Sequence, residues 1–546
     1  MTPFDWEFRY PSSRMPLVAR NVVATSQPLA AQAGLQMLQK GGNAVDAALA
    51  TAITLAVVEP TSNGIGSDVF AIVWDGKKLH GLNASGRAPA AWTPGRFSAL
   101  TRMPLTGWDS VSVPGAVSAW IALSERFGIL PFEELIKPAV YYAREGFNVA
   151  PGTAIKWRSR AHILKEQPGF ADAYMPAGRV PEPGETFSFP DQAGTLEKIA
   201  STRGEDFYRG ELAQKMIADC SKYGGAMTLE DLASHKADWI ETISQAYNGH
   251  EIHELPPNGQ GIAVLMALGI LTHHKLADVP VDSADSLHLQ IEAMKLAVAD
   301  VHRYVADPAA MDRDVGEFLD ADYLAQRAAL IDMKSAQDFG HGVPLKGGTA
   351  YLTAADAKGM MVSYIQSNSN GFGSGVIVPG TGISLHNRGG RSFTLESKHP
   401  NQVGSGKKPF HTIIPAFVTK DGAPLISFGS AGGSMQPQGQ TQIMVRIIDY
   451  RQNPQAALDA PRWRVIDGLT VVVEQGYSRE ALDGLKVRGH DLVEIGKGHF
   501  NENVGEQKSA ARKVPSNFGS AQLIYRLTDS YVAASDHRRD GQPVGF

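Results

Sequence analysis

A threonine preceded by two glycines, Gly347-Gly348-Thr349, stands directly before an alternating run that turns at Asp356-Ala357-Lys358-Gly359 and returns through Met361 to Ser367. A threonine hydroxyl is a weak nucleophile unless a base sits beside it. The nearest possible base is the residue's own α-amine, whose ordinary pKa is about 7.7–8.0. That amine exists only if the Gly348–Thr349 bond is cut. The glycines before it allow the backbone geometry that an N-to-O acyl shift requires. On the local pattern alone, an ordinary strand start after a glycine-rich loop accounts for the same residues.

The elements that would position such a nucleophile can be read from the spacing. A three-residue loop with Gly359 in the left-handed position pairs 356 with 360, and that register sets Ser367 opposite Thr349, where its hydroxyl can reach the nucleophile. A two-residue loop would slip the register by one and turn Ser367 away. Further on lie Gly373-Ser374-Gly375, Pro409-Phe410-His411-Thr412-Ile413-Ile414-Pro415 and Gly429-Ser430-Ala431-Gly432-Gly433-Ser434. Gly432 and Gly433 could offer two backbone N–H groups to an oxyanion, a task that needs close approach rather than a side chain.

Other chemistries find little support. Ser374 and Ser430 each follow a phenylalanine at the second position, so neither sits in a G-x-S-x-G elbow. There is no P-loop and no HExxH string. The neighbours His273 and His274 cannot both point one way from a helix, and no metal site is expected there. Gly64-Ile65-Gly66 lacks the third glycine of a dinucleotide site. The 546-residue chain is 43% hydrophobic with 56 glycines, long enough for a large core, and its net charge of −5 gives no electrostatic reason to bind nucleic acid. Ala44 to Val58 reads as an apolar core helix, too short for the roughly 18 residues of a membrane span. The run from His288 to Tyr304 reads as an amphipathic helix with a polar stripe. The first ten residues lack the basic start and apolar core of a secretory signal, which leads us to expect a cytoplasmic protein. The single cysteine, Cys220, rules out an intramolecular disulfide.

Several strings in order give the chain a wider resemblance: Val23 to Gly34, Gly41-Gly42-Asn43-Ala44-Val45-Asp46, Val58-Glu59-Pro60, Gly64-Ile65-Gly66, Val113-Pro114-Gly115 and the 288–308 segment. Together they resemble the γ-glutamyltransferases, self-processing N-terminal-nucleophile hydrolases, over nearly the whole chain. The resemblance implies an α+β fold, the four-layer αββα sandwich, with Thr349 opening a central strand. It also implies a large subunit, 1–348, and a small subunit, 349–546, intertwined in one fold, and a dimer of such heterodimers is an allowed assembly. The implied activity is a threonine amidohydrolase that cleaves γ-glutamyl amides such as glutathione through an acyl-enzyme, with transfer to amines. No cofactor or metal is implied, and the partner is a small-molecule amide. Three readings stay open beside it: an amidohydrolase for a small acidic amide such as oxamate, a cephalosporin-acylase-like enzyme, and an unprocessed binding protein on the same fold.

Carried over one residue at a time, the family's pattern is mixed. The nucleophile falls on Thr349, its hydroxyl partner on Ser367 and the oxyanion glycines on Gly432 and Gly433. An asparagine that contacts the substrate amine falls on Ser369, and a serine pair that grips the α-carboxylate falls on His411 and Thr412. Where the family holds the glutamyl ammonium with a glutamine and an aspartate, this chain has Arg388 and Arg391. Guanidinium groups repel an ammonium and suit a carboxylate. A remodelled loop in which both arginines face solvent or meet Glu396 is the alternative. The nearest candidate for the family's carboxylate-binding arginine is Arg87, two positions out of simple register.

Overall fold

Along the strand Gly348–Ala355 the side chains divide between two layers, as the two-residue period of a strand demands. Ala350, Leu352 and Ala354 pack with Val69, Ala71 and Val73 against the helices Pro28–Gln39 and Ala44–Val58. Tyr351 and Ala355 turn the other way and join Phe70, Ile72, Ile365, Phe417 and Ile524 between two sheets. The computed structural model describes residues 14–339, 348–495, 507–508, 513–514 and 518–546.

Each of the two sheets has seven strands. The first runs Gln542–Gly545, Val22–Thr25, Gly348–Ala355, Met361–Ser369, Asp68–Trp74, Leu79–Asn83 and Asp238–Ile240. The second runs Leu17–Ala19, Tyr531–Ser535, Ser520–Arg526, Ala423–Ala431, Pro415–Lys420, His250–Glu254 and Ile243–Tyr247. Beyond the second sheet, Ile252, Val418, Ile426 and Phe428 pack on the helices Ile262–Leu271, Ala284–Tyr304 and Met435–Ile448. The layers are therefore helix, sheet, sheet, helix. Gly348–Ala355 lies inside the first sheet, between strands from the chain's beginning and from its own hairpin partner.

The expected helix over Ala44 to Val58 is present with those bounds, and every residue in it is buried. A helix that is apolar all round belongs in a core, and a Leu49→Ala truncation there costs about 2–5 kcal/mol. Its start explains the Asn43-Ala44-Val45-Asp46 string. Asn43 Oδ1 accepts the Val45 and Asp46 N–H groups at 3.0 Å, and Asp46 Oδ2 accepts the Asn43 N–H at 2.9 Å, a reciprocal cap. The segment from His288 to Tyr304 lies in the helix Ala284–Tyr304, but its expected polar stripe does not face solvent: every residue from Ser286 to Val301 is buried, with Glu292 paired to Lys295. Among the described residues no helix is long and apolar enough to cross a membrane.

Candidate active site

The hairpin keeps the register expected from its loop. Ala355 pairs with Met361, the Asp356 N–H donates to the Met360 carbonyl, and Gly359 has φ of +95°. Counting back, Ala350 pairs with Gln366, and the pairing then slips so that Gly348 faces Ser369. Thr349 stands in that irregularity. Its Oγ1 lies 3.1 Å from Ser367 Oγ, and both side chains are buried. Ser367 Oγ also accepts the Ser369 N–H at 2.8 Å, and this bond holds Ser369 at a left-handed φ of +72°. A non-glycine residue in that region stores strain of about 1–3 kcal/mol. The Ser369 hydroxyl is buried with no acceptor or donor beside it.

The second sheet brings the glycine pair to the same level. Thr353 Oγ1 meets Ser427 Oγ at 2.6 Å, and the Tyr351 ring covers Gly429 so closely that a Cβ there would stand 2.3 Å from it. The two strands thus run past each other in opposite directions, two residues per step, toward Thr349 on one and Ala431 on the other. Gly432 and Gly433 follow immediately, with φ of +130° and +63°, in the turn into the helix Met435–Ile448. Gln260 ties this turn to the neighbouring loop, donating from Nε2 to the Gly433 carbonyl at 2.9 Å and to the Thr412 carbonyl at 2.7 Å. Unbonded N–H groups at a strand-to-helix turn are suited to developing negative charge.

On the other side of Ser367 the first sheet supplies Asp68, its partner across the strands. Asp68 is fully buried. Its Oδ2 accepts from His411 Nε2 at 3.0 Å, His386 Nε2 lies 3.6 Å from Oδ1, and the Gly86 N–H donates to Oδ1 at 3.3 Å. Burial pushes Asp68 up to about 7, against the pull of the Arg388 charge and of the backbone donors. Burial also holds His386 down, to about 3, and His411 well below the usual imidazole range, so both rings are neutral. His411 therefore does not stand free to grip a substrate carboxylate: one ring nitrogen is engaged by Asp68 and the other accepts the Ile413 N–H at 3.4 Å.

Arg388 and Arg391 open and close one helical turn, Arg388–Ser392. The two glycines between them let this turn lie directly against its cover, since a Cβ on Gly389 would stand 2.6 Å from the Trp92 ring and one on Gly390 would stand 1.8 Å from the Pro104 carbonyl. Arg388 is buried rather than solvent-facing. Its Nη1 donates to Thr412 Oγ1 at 2.9 Å, while Nε and Nη2 have no acceptor. Burial lowers it to about 9 despite the Asp68 charge. Arg391 makes no ion pair with Glu396 or with any other described residue. Arg87 is not brought to this cluster: its side chain is half exposed, 3.5 Å from Asp307 and hydrogen-bonded to the Gly406 carbonyl.

Sequence reasoning missed Asp68, His386, Gln260 and Arg160. A signal existed only for Asp68, a lone acid directly before the apolar run Val69–Trp74. Among the described residues one group has metal-ligand types in reach of one another, His288, Glu292 and His490. Glu292 already accepts Lys295 Nζ at 2.8 Å and the Gln337 N–H at 2.9 Å, and the two rings bond each other at 2.8 Å, which makes this a structural polar cluster.

Comparison with known proteins gives concordant matches. The family model described as gamma-glutamyltranspeptidase matches residues 30–546. The "Glutathione hydrolase-like YwrD proenzyme" of Bacillus subtilis is 35% identical over 537 residues, covering 96% of this chain and 98% of that protein. The "Oxamate amidohydrolase proenzyme" of Klebsiella pneumoniae is 33% identical over 535 residues, covering 95% and 97%. A crystal structure of cephalosporin acylase from Bacillus halodurans superposes with a TM-score of 0.91 at 43% identity, covering 100% of this chain and 99% of that one.

Proposed function

The chain belongs to the gamma-glutamyltranspeptidase family, enzymes of the N-terminal-nucleophile amidohydrolase type, and on that premise we propose that Thr349 is its self-released nucleophile. The observation that carries the reading is the buried Thr349 Oγ1–Ser367 Oγ contact of 3.1 Å beside the irregular Gly348 pairing. In the precursor, Thr349 Oγ1 attacks the Gly348 carbonyl carbon, the peptide C–N bond breaks, and water hydrolyses the resulting ester. Chains 1–348 and 349–546 remain interleaved, because the new amino terminus lies within the first sheet. No cofactor takes part.

The freed α-amine then accepts the hydroxyl proton, directly or through a water, as Oγ1 attacks the substrate amide carbon. The Gly432 and Gly433 N–H groups steady the oxyanion, each contributing about 3–4 kcal/mol by analogy with comparable donors. The proton passes to the leaving nitrogen, ammonia or an amine departs, and water hydrolyses the acyl-enzyme. An amine in place of that water gives transfer.

For the acyl donor, the names of the relatives span glutathione, oxamate and cephalosporins. A γ-glutamyl amide such as glutathione is one reading. A small acidic amide such as oxamate is favoured by one observation, the buried Arg388 whose Nε and Nη2 have no acceptor. Ammonia release from glutamine and from oxamate, measured side by side on the processed protein, separates the two. Faster release from oxamate is expected; faster release from glutamine returns the site to γ-glutamyl chemistry despite its arginines.

A further inference from the structure

Most buried arginines of this protein have an acid beside them: Arg462 has Asp536, Arg538 has Glu474 and Asp536, Arg539 has Glu59 and Arg446 has Asp282. Three arginines near the candidate site do not, Arg388 buried and Arg160 and Arg391 half-buried. Arg388 is 2% exposed, and two of its three nitrogens have no acceptor. Arg160 comes from the distant helix Pro151–Leu164 and lies across Gly371, two residues past Ser369, where a Cβ would stand 2.7 Å from its Cγ and 3.3 Å from its Nε. The Arg160 Nε is buried without an acceptor, and no hydrogen bond or ion pair joins its side chain to a described residue. Arg391 is likewise without a partner among the described residues. The loop that Arg160 crosses lies against the turn that carries Arg388 and Arg391, because the Asn370 N–H donates to Asn387 Oδ1 at 3.1 Å.

The negative group in reach is Asp68, which is occupied by His411 and by the Gly86 N–H. Three cations against one engaged acid leave positive charge uncompensated, and at Arg388 and the Arg160 Nε it is out of reach of water. Such a cluster is costly to hold unless an anion completes it. We infer that Arg160, Arg388 and Arg391 form one subsite for two negative charges, so that small dicarboxylates bind this enzyme more tightly than monocarboxylates of the same length.

This subsite rests on the proposed amidase reading for its place in the reaction. When a monoamide of a dicarboxylic acid is hydrolysed, the water oxygen bonds to the acyl carbon and the ester bond to Thr349 Oγ1 breaks. The hydroxyl regains its proton, and the new carboxyl group releases one to solvent. A substrate of charge −1 therefore leaves a product of charge −2, the better match to three guanidinium forks, each able to hold a carboxylate bidentately. The product is then an inhibitor, and the acyl group is one without an α-ammonium.

The test is calorimetric titration of the processed protein with oxalate, malonate, succinate and glutarate, each beside the acid in which a methyl replaces one carboxylate. At least one dicarboxylate binds at least tenfold more tightly than its partner, and Arg160→Ala removes most of that advantage in a protein that still cleaves itself and keeps its unfolding midpoint. Arg160→Lys retains part of it. Equal binding within every pair overturns the inference, as does Arg160→Ala with wild-type dicarboxylate affinity. Ammonia release from oxamate by the same samples reads the function separately: dicarboxylate binding without turnover overturns the amidase reading and leaves the subsite, and turnover without dicarboxylate binding overturns the subsite alone.

Discussion

Two buried arginine clusters in this molecule do opposite jobs. Around Asp536, Arg462 Nη2 donates to Oδ2 at 2.6 Å, Arg538 Nη1 donates to Oδ1 at 3.0 Å, and Glu474 neutralises Arg538 from the other side. Burial alone would push Asp536 up, yet the two guanidinium groups hold it well below the usual carboxylate range. Arg388, by contrast, forms no ion pair among the described residues, and Asp68, its electrostatic neighbour, is pushed up instead of down. Paired charges close the fold on itself. Unpaired ones, on the proposed subsite, are left for a ligand to complete.

Substitutions separate the two jobs, and the largest effect belongs to the paired cluster. Asp536→Ala strands two buried arginines and lowers stability by about 3–5 kcal/mol, measured by chemical denaturation. Arg388→Met has the contrary outcome: stability unchanged or slightly raised, self-cleavage retained, and kcat/KM for an anionic amide down roughly 100-fold, about 2.7 kcal/mol of transition-state binding. Equal destabilisation by the two substitutions breaks the comparison.

The pH dependence sharpens it, because the two aspartates contribute with opposite sign. Asp68 has a folded pKa of about 7, above its ordinary value, so the folded state holds the extra proton and stability falls as pH rises between about 4 and 7. Asp536 is depressed, so its contribution is present above the ordinary carboxylate pKa and is lost as pH falls below it. Denaturation midpoints across pH therefore show a flatter decline from pH 4 to 7 in Asp68→Asn and a weaker acid limb in Asp536→Asn. A wild-type slope in Asp68→Asn contradicts the burial argument. The smallest effect is expected at the proposed nucleophile's neighbour: Ser367→Thr keeps the hydroxyl and loses little activity, whereas Ser367→Ala slows turnover on the order of tenfold, read as kcat.

What could be read from the sequence followed local rules. The loop Ala357-Lys358-Gly359 fixed the hairpin register and with it the facing of Thr349 and Ser367, and the apolar run after Asn43 forms the central helix. The layered order followed from the family resemblance rather than from composition. The electrostatic surroundings could not be read, because they join distant positions: Asp68 meets His411 across 343 residues, and Arg160 reaches Gly371 from a helix with no marked pattern. Arg87 looked suitable by nearness to the family's register, but its partners, Asp307 and the Gly406 carbonyl, draw it to the surface.

The most direct measurement is the intact mass and amino-terminal sequence of the purified protein beside its Thr349→Ala variant. The account predicts two chains in the wild type, the smaller beginning at Thr349, and one uncut, inactive chain of 58.6 kDa less the small change at position 349 in the variant. An uncut wild-type chain that hydrolyses amides, or a Thr349→Ala protein with full activity, contradicts it.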